Sequence, residues 1–149
     1  RRSSDLASKD DLAAAYMRDY DLDFWEKFEN PGGKSYSDPR EHVLAYIRVL
    51  STRAVREGYR GCGLSNATVE YPSRDNPARQ VAEAHKKVFR KRLRELAAGM
   101  GARQPAVLGD ALLLLIEGIY STGQQSEEGP AQSALAVAKL LIDASVTKG

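Results

Sequence analysis

One cysteine and two histidines are all the thiol and imidazole metal ligands this 149-residue chain offers. The single thiol, Cys62, excludes an internal disulfide framework and suits a reducing compartment. His42 and His85 lie too far from each other and from Cys62 to give zinc-ligand spacing. Glycine loops of the Walker A or GxGxxG type and the zinc pattern HExxH are missing too, so neither a metal nor an organic cofactor is expected. No uninterrupted apolar run approaches the length of a bilayer span, the longest being residues 111–116. The opening Arg1-Arg2-Ser3-Ser4-Asp5 is followed by no apolar leader. A net charge of +2 is too small to mark a surface that coats nucleic acid. These absences lead to the expectation of a cytoplasmic chain without a membrane partner.

What is present reads as helix. With 42% hydrophobic and 28% charged residues the composition is that of a folded domain, not a disordered one. The first helix is expected to open at Ser8 as N-cap, with Asp10 and Asp11 near the positive end of its dipole. Its apolar positions Leu12, Tyr16, Tyr20, Phe24 and Phe28 recur every four residues, and Asn30-Pro31-Gly32-Gly33 ends it. Asp38-Pro39 opens a second helix running to Gly58, by the rule of a capping residue followed by proline. Residues 59–75 are irregular around one short helix. Asn76-Pro77 opens a third long helix to Gly99, Pro105 a fourth to Tyr120, and Pro130 a last one to Val146. No period-two alternation occurs. The expected fold is all-α, with five long helices and a short one.

Two of these helices are apolar nearly all round: residues 107–120 and residues 134–142. A surface helix needs one apolar face only, so both require cover on several sides. They are either the centre of a monomer core or part of a two-fold four-helix interface in a homodimer. For the second arrangement the expected contacts are Leu113, Ile116, Tyr120, Leu135, Ala138 and Ile142.

Two stretches carry a family likeness. Ala7-Ser8-Lys9-Asp10-Asp11-Leu12 resembles the Ser-Lys-x-x-Leu opening of the helix that follows the helix-turn-helix in TetR-family transcriptional regulators. Gly61-Cys62-Gly63-Leu64-Ser65-Asn66-Ala67, followed by Glu70-Tyr71-Pro72 and Asn76-Pro77-Ala78-Arg79, resembles a stretch of one subgroup of that family's C-terminal domain. The resemblance implies a TetR C-terminal-like helical bundle over residues 8–149, dimerising through its last two helices. Residues 1–7 would be the remnant of a DNA-reading head, and DNA operator binding would belong to that head. It implies a ligand-responsive regulator, not an enzyme, with a mostly apolar cavity for a small apolar or aromatic effector. Candidate ligand contacts are Tyr16, Tyr20, Phe24, Leu44, Ile47, Asn66, Glu70, Tyr71, His85, Phe89 and Leu112. Lys9 would touch DNA phosphate, a contact that positions without specifying sequence.

Several of these residues have plainer readings. His85, four residues before Phe89 on an apolar stripe, suits a hydrogen-bonded core histidine. Asn66 can tie down the short helix through backbone, and Cys62 suits a small buried side chain. From Arg74 to Arg103 nine Lys/Arg face three Asp/Glu, while residues 1–30 hold five against eight, so the basic run is expected to be a solvated helix face partly offset by the acidic first helix. Two rival functions remain: a small helical enzyme using Glu70 and His85 as acid and base, and a helical dimeric adaptor with no ligand.

Overall fold

The structure, a computed structural model, describes residues 2–125 and 128–146. Six α-helices follow one another: α1 (Arg2–Glu29), α2 (Pro39–Ala54), α3 (Gly63–Glu70), α4 (Pro77–Gly99), α5 (Pro105–Gln125) and α6 (Ala134–Ser145). Single 3-10 turns at Pro31–Gly33 and Pro130–Ser133 complete the order. Among the described residues the only extended pairing is one isolated bridge, Ala102 with Val146. The all-α expectation holds.

Two of the expected caps form as read. The Asp38 carboxylate accepts from the Glu41 amide at 3.1 Å, and the Asn76 side-chain oxygen accepts from the Ala78 and Arg79 amides at 2.9 and 3.2 Å. Each satisfies amide groups that the first helical turn leaves without partners. Ser8 is a correction. α1 runs straight through it from Arg2, because residues 2–7 contain neither glycine nor proline to stop a helix. Arg1 and residues 147–149, which fall in the two expected domains, lie outside the described residues. α2 ends at Ala54 instead of Gly58, and α5 continues past Tyr120 to Gln125.

α4 and α5 lie side by side at the centre. α1 and α3 pack on α4, and α6 packs on α2 and α5. The core joins Phe28, Phe89 and Leu93 to Ile47, Leu50, Leu112, Ile116 and Ile142, all nearly or fully buried. Each such side chain contributes about 1.5–3 kcal/mol through burial. Phe24, Trp25, Phe28, Tyr46 and Phe89 meet edge to face, with ring centroids 4.8–6.3 Å apart.

α5 is long and apolar enough, by length and composition, to cross a membrane. One of its faces is nevertheless committed to the bundle, with Leu108, Leu112, Ile116 and Ile119 buried. This placement corrects the expected pairing face. Ile116, Tyr120, Ala138 and Ile142 are sealed inside the chain's own core, whereas Leu114 and Leu140 are 74% and 70% exposed. Leu113 and Leu135 are half-buried at its margin. A helix that is apolar all round carries no phase in its sequence; packing on α2 and α4 decides which side turns inward.

Candidate functional site

α1 and α2 meet through Phe28, which packs on Tyr46 and whose carbonyl accepts from His42. A cavity of about 560 Å³ lies between them. Gly32 and Gly33, with φ of 62° and 81°, form the turn at its closed end. Tyr20 and Phe24, one helical turn apart on α1, face Tyr46, Val49, Leu50 and Arg53 of α2 across it. Asp23 and Lys27 of α1 also line it and pair with each other at 2.8 Å. Gly58, Tyr59, Arg60 and Gly61 form the rim on the far side.

The Gly61-Cys62-Gly63 stretch has a physical role here. Gly61 takes φ 80°, and a Cβ on it would press on the Gln124 side chain and lie 3.1 Å from the Tyr120 carbonyl. A Cβ on Gly63 would come within 2.9 Å of the Tyr20 ring. Glycine at these two positions lets the loop close on α5 and leaves room for a cavity-wall tyrosine. The Gly63 amide also donates to the Tyr20 hydroxyl at 3.0 Å.

The two other wall tyrosines, Tyr46 and Tyr59, differ in how their hydroxyls are used. Tyr46 and Tyr120 share a buried hydrogen bond of 2.8 Å, and burial raises both hydroxyl pKa values, Tyr120's well above the ordinary range. The Tyr59 hydroxyl is buried with no hydrogen-bond partner. Burial pushes its pKa up to about 12, against the pull of the nearby Arg53 guanidinium. Arg53 and Arg60 have no carboxylate partner among the described residues.

Of the expected ligand contacts, Tyr20 and Phe24 line this cavity. Leu44, Ile47, Phe89 and Leu112 are sealed in the core, and Tyr16 is 63% exposed. Asn66 donates to the Arg60 carbonyl at 2.9 Å, fastening the rim loop to α3. Glu70 is exposed at the end of α3, and Tyr71 is half-buried, its carbonyl accepting from Arg79 at 3.1 Å. His85 is buried against Phe24, with Nδ1 bonded to the Asp21 carboxylate at 2.7 Å. Burial lowers its pKa, and the Asp21 hydrogen bond opposes the shift. No hydrogen bond or ion pair joins Glu70 to His85 among the described residues, so the structure does not assemble the acid–base pair. Lys9 is exposed on α1, and Cys62 is buried. His42 is buried and donates through Nε2 to the Phe28 carbonyl at 2.8 Å.

The basic run is largely consumed by ion pairs. Arg90 and Arg94 both grip Asp110 at 2.7–3.0 Å. Arg92 holds Glu29 through two bonds of 2.7 and 2.9 Å, and Lys86 pairs with Glu117. Sequence spacing missed Arg53, Tyr59 and Arg60 as cavity residues. Arg53 reads as the polar side of α2, and the other two sit in a loop whose course is set by Gly58 and Gly61.

Solved structures of transcriptional regulators share this all-helical bundle. A TetR-family transcriptional regulator from Streptomyces coelicolor superposes with a TM-score of 0.83 at 26% identity, over 93% of this chain and 74% of that one. A candidate TetR transcriptional regulator from Streptomyces avermitilis gives 0.83 at 24% identity, over 97% of this chain and 80% of that one. No protein-family model matches the chain, and no curated protein matches it by sequence. The chain has the fold of TetR-family transcriptional regulators over most of its length, and the likeness read from its sequence holds.

Proposed function

We propose that this chain is the effector-sensing and dimerising part of a cytoplasmic transcriptional regulator, acting as a repressor. The observation that carries the reading is the cavity between α1 and α2, whose volume falls within the range of about 300–1,000 Å³ typical of small-molecule sites. Its aromatic wall suits a small apolar or aromatic effector. α1 forms that wall and continues without a break to Arg2, the end at which a DNA-reading head would join; residues 1–7 belong to that junction and residues 8–149 to the sensing domain. A ligand that fits one tilt of α1 better than another shifts the spacing of two heads on DNA half-sites. Lys9, exposed on α1, is the residue proposed to meet phosphate.

The homodimer forms through the outward faces of α5 and α6. Leu114, Val137 and Gly118 border an apolar groove of about 300 Å³ there, and Leu140 is exposed further along α6. Replacing Leu140 with Glu leaves the monomer core intact and is expected to give monomers in sedimentation equilibrium. The deciding measurement is operator affinity of the full-length protein with and without an aromatic that fills the cavity. Coupling of about 1–3 kcal/mol corresponds to a change of roughly 5- to 150-fold. An affinity unmoved by an occupied cavity refutes the gating.

A further inference from the structure

We propose that the cavity's occupant carries an anion: an aromatic or apolar body ending in a carboxylate that the Arg53 guanidinium receives. The inference rests on the reading of this cavity as an effector site and names the chemistry of its ligand. Four charged side chains line the cavity, one acidic and three basic. Asp23 is matched by Lys27, one turn along α1 at 2.8 Å. Arg53 and Arg60 remain, with no carboxylate partner among the described residues. Arg48, Arg56 and Arg74 likewise have no ion pair among the described residues, so what distinguishes Arg53 and Arg60 is that both border one cavity. The cavity therefore has an uncompensated positive end.

That end faces apolar surface. Phe24, Leu50 and Tyr46 are nearly buried and present ring and methyl groups. Arg53 and Arg60 are themselves exposed, so solvent screens their field, and it is the surplus of two cations over carboxylates at this margin that favours an anion over an ammonium. A guanidinium fork matches both oxygens of a carboxylate, a geometry this chain already uses where Arg92 meets Glu29. Arg53 also lies beside the unbonded Tyr59 hydroxyl. The ligand's body accordingly lies along Phe24 and Leu50, with its carboxylate toward Arg53 and the rim.

The test is titration calorimetry of the full chain with three probes of one shape: naphthoate, naphthamide and naphthylmethylammonium. Naphthoate is expected to bind about tenfold more tightly than the amide, a difference of about 1.4 kcal/mol. Arg53→Gln is expected to bring the two within about twofold of each other, while Lys91→Gln, on exposed α4 surface, leaves the preference in place. Far-ultraviolet circular dichroism of Arg53→Gln checks that the variant is folded. Equal binding of naphthoate and naphthamide to the unaltered chain, or preference for the ammonium, overturns the anion assignment and leaves the cavity a ligand site. Binding of none of the three overturns both readings. A preference that survives Arg53→Gln also overturns the assignment to Arg53.

Discussion

The bundle contains two pairs of consecutive helices joined by short turns, and they behave in opposite ways. α4 and α5 close on each other so tightly that a Cβ on Gly109 would lie 2.6–2.8 Å from Arg94, backbone included. Asp110 then clamps Arg90 and Arg94, and Glu117 holds Lys86. α1 and α2 meet at Phe28, against Tyr46 and His42, and leave a cavity along the rest of their facing sides. A glycine marks the crossing of one pair; Tyr20, Phe24, Tyr46 and Arg53 line the space left between the other. Chain connectivity does not decide which helices pack. The residue at the point of closest approach does.

The contrast can be broken most severely through the core both pairs share. Phe28→Ala removes a fully buried ring packed on Phe24, Tyr46 and Phe89, and is expected to cost about 3–5 kcal/mol in urea unfolding. Gly109→Ala attacks the closed pair alone. The new methyl meets backbone that cannot rotate away, so a loss of about 1–3 kcal/mol is expected, with cavity binding retained.

Asp110→Asn loosens the same seam from its surface. The two guanidinium groups hold the Asp110 carboxyl well below the usual carboxylate range. Its stabilising effect is therefore complete above the ordinary aspartate pKa and is lost as pH falls toward the depressed folded value. The melting temperature of the unaltered chain should fall more steeply on acidification than that of Asp110→Asn, and the two should converge in strong acid. The smallest effect sharpens the open side. Tyr59→Phe deletes a buried hydroxyl that lacks a hydrogen bond, so stability should rise by about 0–1 kcal/mol instead of falling. A clear loss in thermal denaturation would show that the hydroxyl is bonded after all.

How much of this was legible follows from where the information resides. The caps at Asp38 and Asn76 are local chemistry, and they form where the sequence places them. His85 and Asn66 take the bonded, structural positions that their residue types suggest. The inward face of α5 and α6 was not legible, because Leu112 and Leu114 are the same residue with opposite fates: one is buried and the other 74% exposed. The cavity was half legible. Tyr20 and Phe24 follow from the α1 stripe, but Arg60 reaches the cavity that Arg53 lines through a loop turned by the positive φ of Gly58 and Gly61. The start of α1 was misread at Ser8, since a good capping residue does not begin a helix that nothing upstream interrupts.

The length of α1 has a mechanical consequence. Its 28 residues make a rod of about 42 Å. The Asp21 carboxylate is bonded to buried His85, which makes that point a natural fulcrum. From there to Lys27, at the end of the cavity wall, is an arm of about 9 Å, and from there to Arg2 an arm of about 28 Å. Under the proposed gating the arms would give a leverage of roughly threefold: a tilt that moves the short arm by a third of an ångström would carry the far end through a whole one.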